Sequence, residues 1–481
     1  MGPIIPLMKS PLWLGAVGLF LASGFFPPPA GAARAAVEGR GRGAAPSRTE
    51  QRALVPVAHH AVVETFLELG PLLGHVGPTE AKLWAKASGG ARLGVRVGEQ
   101  ADLSDARDIE GAALESSCDF MGQMTLKELQ PSQRYHYCIL LDGRPAMVRP
   151  YPSFTTAPAA GEAGRVRFAF VSCVGYKGFD SAGAWADLAT RTNFDLLLML
   201  GDNHYGNTTD AAKHLEMFAV QRRLPGYAEI SRRLPQYAIW DNHDYAPEPC
   251  DRTAKNKERT LAAFQSFWPN PAWGEPDNPG VYHKFARAGV EFFMLDGRYH
   301  RDPYSAPEET RTHLGAKQLA WLKRELLASK AAVKVLATGG EWQTFSQKAS
   351  WTSFQREREE LFKFIEEHHI TGVLLLSGDR HFTAAYQVQG KFIEVTSGPM
   401  GSANSDSKPT PEMFFNGGRG KFYCLYDIDT TATTPSVTLE IYRASEGLVY
   451  RRPFTWEEVL GTTKIKTLPP APAKVAEKAN P

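Results

Sequence analysis

In Leu198-Met-Leu-Gly-Asp202-Asn-His204-Tyr205 an apolar run stops at a glycine, and a carboxylate, an amide, an imidazole and a phenol follow at once. A short, continuously apolar run predicts a strand buried on both faces. The polar groups then stand at its C-terminal end. Three other stretches repeat the plan: Phe168-Ala-Phe-Val-Ser-Cys173, Ile239-Trp-Asp-Asn242-His243-Asp244 and Leu375-Leu-Ser-Gly-Asp379-Arg-His381. Residues so far apart in the chain converge only if these strands lie side by side. That is how an α/β fold assembles a metal-assisted hydrolytic site.

The sequence around these stretches fits that arrangement. Apolar runs at 166–172, 195–200, 236–240, 290–295, 332–338 and 372–377 predict strands. Between them, Gly315-Ala-Lys-Gln-Leu-Ala-Trp-Leu-Lys-Arg-Glu-Leu-Leu327 and Phe354-Gln-Arg-Glu-Arg-Glu-Glu-Leu-Phe-Lys-Phe-Ile365 carry apolar residues at the spacing of helices packed on a sheet. Runs at 383–388, 391–396, 421–427 and 435–443 are joined by turns, so part of the core is expected to be antiparallel.

Upstream, from Phe66 to about Pro158, alternating segments such as Ala81–Lys86, Ala91–Val97 and Arg134–Leu141 predict a small β-sandwich without helices. Within it, Leu129-Gln-Pro131-Ser-Gln-Arg-Tyr135-His-Tyr137 resembles the tyrosine-corner segment of fibronectin type III domains, an ordinary turn and strand being the alternative.

The N-terminus reads as an export signal. Lys9 precedes the apolar stretch Pro11–Phe26, and small residues around Ala30-Gly31-Ala32 offer a cleavage site. The expected organisation is a signal peptide at 1–35, a flexible linker at 36–65, a β-sandwich domain at 66–160, a larger α/β domain at 161–455 and a C-terminal tail at 456–481. The mature chain is therefore expected to be periplasmic or extracellular, with no membrane span after cleavage. A formal charge of +2, with 54 basic and 52 acidic residues, gives no nucleic-acid-binding signature. Five cysteines leave one unpaired in an exported chain, and Cys173 is the candidate thiol; Cys118 with Cys138 is the first pairing to test.

Each cluster has an ordinary reading and a chemical one. Asp202 is a helix cap or a carboxylate bridging two cations. Tyr205 packs or supplies a phenolate to a ferric-type ion. Asn242 and His243 form a turn, or else give a neutral amide ligand and a group that donates to a phosphoryl oxygen. Asp379 and His381 lie two apart, so an extended segment would split them between faces; a turn at Gly378 lets each reach a different metal. Cys173 is a buried inert thiol or a soft ligand favouring iron or zinc. Arg298 and Arg301, after the strand at 290–295, make surface salt bridges or clamp a phosphate. In conjunction, at four strand ends, the chemical readings reinforce one another.

These residues resemble the calcineurin-like metallophosphoesterases, and more closely the PhoD-like (alkaline phosphatase D) family, from about Leu69 to Arg451. Gly70-Pro-Leu-Leu-Gly-His75 is similar to the family's opening, Ser172-Cys173 to its Ser-Cys element and Gly201-Asp202-x-x-Tyr205 to its Gly-Asp-x-x-Tyr. Trp240-Asp-Asn-His-Asp244, Leu295-Asp-Gly-Arg298 and Ser377-Gly-Asp-Arg-His381 follow in the family's order. Asn242 stands where this family usually has Asp, and His204 where it usually has an apolar residue, close enough to the site to alter substrate shape or metal choice.

The resemblance implies a four-layer αββα sandwich with an N-terminal fibronectin type III-like domain, and a dinuclear centre of ferric iron plus calcium or another divalent ion. Cys173, Asp202, Tyr205 and His381 would hold the first metal. Asp202 would bridge to the second, held by Asn242, Asp379 and Gln343. His243 and Arg298 would act on the phosphoryl group. The expected activity is hydrolysis of phosphate esters by attack of a metal-bound hydroxide. The alternatives are a phosphodiesterase of phospholipase D type acting on cell-envelope polymers or lipids, and a catalytically inert exported binding module.

Overall fold

The computed structural model describes residues 64–175, 181–344, 350–407, 409–410 and 412–465. The expected signal peptide, nearly all of the expected linker and the tail from 466 lie outside the described residues. The N-terminal strands are β1 (Leu67–Val76), β2 (Ala81–Ala87), β3 (Ala91–Gly98), β4 (Arg107–Leu114), β5 (Met121–Leu126), β6 (Arg134–Leu141), β7 (Arg144–Pro145) and β8 (Ser153–Thr155). They form two antiparallel sheets, β1-β2-β5 and β4-β3-β6-β7 with β8 on β6. Leu73, Leu83, Val95 and Tyr137 fill the space between them. The Tyr135 hydroxyl accepts the Gln130 backbone N–H at 2.9 Å, the tie expected of a tyrosine corner.

The larger part alternates strands with helices. Its first strands are β9 (Arg165–Val171), β10 (Leu196–Leu200) and β11 (Gln236–Ile239), then a short hairpin of β12 (Gly274–Glu275) and β13 (Asn278–Pro279). β14 (His283–Arg287), β15 (Val290–Met294), β16 (Val333–Ala337), β17 (Val373–Ser377), β18 (Ala384–Val388) and β19 (Phe392–Thr396) follow. β20 (Met413–Asn416), β21 (Phe422–Asp429), β22 (Ser436–Arg443) and β23 (Gly447–Phe454) complete the set. The helices are α1 (Ala182–Ala189), α2 (Ala211–Arg222), α3 (Pro225–Arg233), α4 (Asn242–Tyr245), α5 (Lys257–Phe267), α6 (Ala316–Ala328), α7 (Gln355–Glu367) and α8 (Trp456–Val459).

Two mixed sheets result: β11-β10-β9-β21-β22-β23, and β14-β15-β16-β17-β19-β18-β20. The two-residue period assigns the faces of the second sheet. Val290, Phe292, Val335 and Leu374 belong to the core shared with the first sheet, where Phe168 meets Phe292 edge-on at 5.0 Å. Phe293, Leu336, Val373 and Leu375 point the other way, into a layer with Leu322 and Leu326 of α6 and Leu361 and Phe362 of α7. Trp185 of α1 and Tyr227 of α3 pack with the first sheet. This is the expected αββα order.

The N-terminal module is not a separate globule. Leu69, Leu72, Trp84 and Met121 belong to the same core as the large sheets. Arg222 of α2, fully buried, lies over the rings of Trp84 at 4.3 Å and Phe267 at 4.5 Å and donates to the Phe267 carbonyl at 2.8 Å. The segment assigned to the tail opens with an ordered element, α8, whose first turn is held by Glu458 N–H on Thr455 Oγ1 at 3.2 Å. All five cysteines are free thiols, so the Cys118–Cys138 pairing is not formed; Cys118 is exposed and Cys138 buried.

Candidate metal centre

The four strand ends share one offset. β9 ends at Val171, β10 at Leu200, β11 at Ile239 and β17 at Ser377; the second residue beyond each is Cys173, Asp202, Asp241 and Asp379. β9, β10 and β11 are parallel neighbours in one sheet, and β17 belongs to the other, so the site lies where the two sheets' strand ends meet. Cys173 (φ 53°), Asp202 (φ 51°) and Asp379 (φ 62°) all adopt the left-handed conformation, which turns each side chain off its strand. The turn expected at Gly378 is thus made by Asp379 itself. Gly378 serves close approach instead: a Cβ there would stand 2.6 Å from the Ser172 Cβ. At Gly201 (φ 97°) a Cβ would meet Asp241 at 2.7 Å.

Two groups of ligand atoms form, each with its atoms within 4.8 Å of one another: Cys173, Asp202 and His381, and Asp202, Asp241 and Asp379. Asp202 belongs to both. In the first group the Cys173 Sγ lies 3.8 Å from Asp202 Oδ2. The Tyr205 hydroxyl is 3.4 Å from that oxygen and 2.9 Å from His381 Nε2. The structure thus brings together all four residues expected around the first metal. In the second group Asp379 appears as expected, and Asp241 is a member that the sequence reading passed over in favour of Asn242. The shared offset emerges only with the strand ends in hand, because in the sequence the apolar run continues through Trp240 to Asp241 itself. Asn242 follows directly, and its Oδ1 is a buried acceptor with no partner, as is Asp241 Oδ2.

The electrostatics suit cations. Burial, then the nearby Asp241, Asp244 and Asp379, pushes Asp202 well above the usual carboxylate range, Arg298 opposing. Burial and Asp241 likewise raise Asp379. Burial and Asp202 raise the Cys173 thiol. Burial, then Lys421 and Arg380, lowers His381, leaving it in the neutral form that ligates. Like charges crowded out of water carry a penalty that a pair of cations would reverse. The donors fit such a pair: sulfur, imidazole and phenol oxygen with Asp202 on one side, and carboxylate and amide oxygens on the other.

The remaining expected residues surround this cluster. Arg298 is buried, its Nε donating to Asp241 Oδ1 at 2.6 Å and its Nη1 contacting Cys250 Sγ at 3.5 Å, while Nη2 has no partner. Arg301 is buried against the rings of Tyr304 and Phe354, each 4.7 Å from its guanidinium carbon. Neither is the surface salt bridge of the ordinary reading. The His243 backbone N–H donates to Asp202 Oδ1 at 3.3 Å, and its Nδ1 lies 2.8 Å from Asn207 Oδ1. Burial lowers this histidine to about 4. Gln343 is buried; its backbone N–H donates to Glu394 Oε2 at 2.9 Å, beside the Trp342 N–H on Oε1 at 2.9 Å.

His204 corrects an expectation. It does not face the ligand groups but turns into the core, its ring 4.6 Å from Phe218. The Gly206 N–H donates to its Nδ1 at 3.2 Å, so Nε2 carries the proton and donates to His214 Nδ1 at 3.0 Å. His214 Nε2 in turn donates to the Thr208 carbonyl at 2.8 Å. Every ring nitrogen is satisfied with both imidazoles neutral, and burial lowers both. Sequence adjacency to Asp202 misleads here because, past the left-handed residue Asp202, the His204 side chain packs against Phe218 and His214 of α2.

Two mixed sheets whose strand ends meet around such groups are the build of a metal-dependent phosphoric ester hydrolase. Comparison with known proteins supplies the family: residues 168–416 match the PhoD-like phosphatases, and the chain belongs to that family. Residues 64–159 match a domain of unknown function, DUF7800. Alkaline phosphatase D of Bacillus subtilis is 26% identical over 422 residues, covering 70% of this chain and 71% of that protein. A solved structure of PhoD superimposes with a TM-score of 0.67 at 18% identity, covering 81% of this chain and 92% of that one. The purple acid phosphatase PPD1 from yellow lupin seeds shares the fold at a TM-score of 0.62 and 15% identity, covering 81% of this chain and 75% of that one.

Proposed function

We propose that the chain hydrolyses phosphate esters at a dinuclear centre, ferric iron plus calcium or another divalent ion, to which Asp202 would be the shared ligand. The observation that carries this reading is the double membership of Asp202 in two groups of ligand atoms at meeting strand ends. Cys173, Asp202, Tyr205 and His381 would hold iron, since thiolate and phenolate suit it better than a hard divalent ion. Asp202, Asp379 and Asn242 would hold the divalent ion, with Asp241 and Gln343 beside it. Two cations held there would supply a water nucleophile at neutral pH and neutralise charge on the phosphoryl oxygens.

The side chains do the rest. Arg298, anchored through Nε on Asp241, keeps Nη2 free for an equatorial phosphoryl oxygen. His243 stands beside Asp202 with its Nδ1 engaged, so any proton exchanged with substrate passes through Nε2. No side chain forms a covalent intermediate in this scheme. The signal-like segment at 1–35 supports export, and the sheet boundary near residue 160 supports a β-sandwich domain followed by a catalytic domain.

The test is to purify the mature chain, measure bound metals by mass spectrometry, and compare hydrolysis of p-nitrophenyl phosphate with that of bis(p-nitrophenyl) phosphate. Iron together with turnover of either ester supports the proposal, and the ratio of the two assigns monoester or diester preference. A metal-free chain that turns over neither and still binds envelope material would refute it.

A further inference from the structure

Just past Asp202, residues 204–210 form a loop held by several hydrogen bonds. The chain of hydrogen bonds through His204 and His214 starts at the Gly206 N–H and ends at the Thr208 carbonyl, gripping the residues on both sides of Asn207. Asp210 caps α2 by accepting the Ala212 N–H at 3.0 Å, and Thr208 Oγ1 accepts the Asp210 N–H at 3.0 Å. Asn207 itself adopts φ 46°, a conformation asparagine tolerates better than most residues. It faces solvent and adds nothing to the core.

Both ends of Asn207 engage one residue. Its backbone N–H donates to the His243 carbonyl at 3.0 Å, and its side-chain oxygen lies 2.8 Å from His243 Nδ1. An amide oxygen only accepts, so Nδ1 carries the proton. The Tyr205 ring lies over the same imidazole, 4.2 Å between centroids at 33°. The ring is therefore fixed in angle, in face and in tautomer, by a loop that is itself pinned.

We propose that Asn207 is the positioning residue of His243: it holds the proton on Nδ1 and thereby reserves Nε2 as the nitrogen that exchanges a proton with the phosphate ester. Nδ1 keeps its proton throughout; Nε2 takes a proton from solvent and gives it to the departing alkoxide oxygen as the P–O bond breaks, which returns the ring to its neutral form. The inference rests on the reading of His243 given above. A neutral amide does this without adding a carboxylate near the group that already crowds Asp202, Asp241 and Asp379.

The experiment uses the metal-loaded mature chain and two monoesters, p-nitrophenyl phosphate and the poorer leaving group phenyl phosphate. Asn207→Ala is expected to lower kcat on phenyl phosphate by about 10- to 100-fold, less than the full general acid–base contribution of about 10²–10⁴ because the histidine itself remains, with metal content and KM held within about twofold. Asn207→Asp keeps an acceptor oxygen and should recover most of the loss. In a His243→Ala background, Asn207→Ala should add less than about a twofold effect, because a residue acting through His243 has nothing left to position. Losses that multiply in the double variant, or an Asn207→Ala enzyme with wild-type kcat beside an impaired His243→Ala, would overturn the assignment to Asn207. Wild-type turnover in His243→Ala would instead remove the underlying role of the histidine, a result separable from the other two.

Discussion

Asp202 and His204 stand on one loop with a single residue between them, and both are wholly buried. His204 has a partner for each ring nitrogen, and its chain of donors runs without a break from Gly206 to Thr208. Asp202 has Asp241, Asp244 and Asp379 around it, opposed by the buried Arg298, while its hydrogen bonds from the His243 N–H at 3.3 Å and the Tyr205 hydroxyl at 3.4 Å are long. A protein interior tolerates the first arrangement as it stands. The second is costly unless something cationic completes it. Burial alone therefore says little about function; what separates a site from a strut is whether the buried polar groups can be satisfied from within.

The largest effect should come from Asp202→Asn. Loss of the bridging carboxylate is expected to remove both metals and lower kcat/KM by at least about 10³-fold, a scale consistent with loss of metal-assisted activation. Metal per chain and turnover of p-nitrophenyl phosphate measure it. Near-wild-type turnover in that variant would place Asp202 in the same structural class as His204.

Asp241→Asn comes next. It weakens the pair with Arg298, which then stands buried beside an uncharged amide, a change typically costing about 3–5 kcal/mol when an ion pair of this kind is broken. The divalent ion should be lost while iron is kept, with turnover down on the order of 100-fold for a weakened oxyanion clamp. Retention of both metals would reduce Asp241 to the anchor of Arg298.

His214→Leu addresses the other member of the pair. It leaves the His204 Nε2–H without an acceptor, which should cost about 1–3 kcal/mol in urea unfolding. Metal content should not change, and turnover should fall only as far as the loop carrying Asn207 loosens. Metal loss in this variant would mean that the relay and the centre are one unit.

What the sequence made legible follows the same division. The strands before Cys173, Asp202 and Asp379 were readable because both their faces are buried, which forces continuous apolar runs. α6 and α7 were readable because one face of each is. β23 (Gly447–Phe454) was not foreseen: it is a sheet edge with mostly exposed or half-buried side chains, and an edge needs no apolar run. Asp241 was hidden by its neighbour, since Asn242 next to it offers an equally plausible oxygen. Asn207 carries no sequence signal, because a lone asparagine in a loop is indistinguishable from a turn residue until His243 is seen against it.

The smallest expected effect lies in the pH dependence of stability, where the two kinds of buried group differ in sign. Burial lowers His204 and His214 in the folded chain, against about 6.5 when unfolded. Their contribution is full above that pH and is lost as pH falls below it. Burial raises Asp244 to about 7 from 3.8, and it raises Asp202 and Asp379 as well. Their contribution is full below the unfolded value and is lost as pH rises through the folded one. In the metal-stripped chain the carboxylates therefore favour unfolding progressively up to about pH 7, each by at most about 1.4 kcal/mol per pH unit. Cations would hold Asp202 and Asp379 ionised in the folded state and remove their share of that slope, leaving the histidine contribution untouched. Urea unfolding between pH 6 and 8 should show stability declining with pH more steeply in the stripped protein than in the loaded one, where only Asp244 still contributes to the decline. In His214→Leu the loss of stability on acidification below about pH 6.5 should be smaller than in the wild type. Equal slopes for stripped and loaded protein would mean that the crowded carboxylates are neutralised from within, and the distinction between Asp202 and His204 would fail.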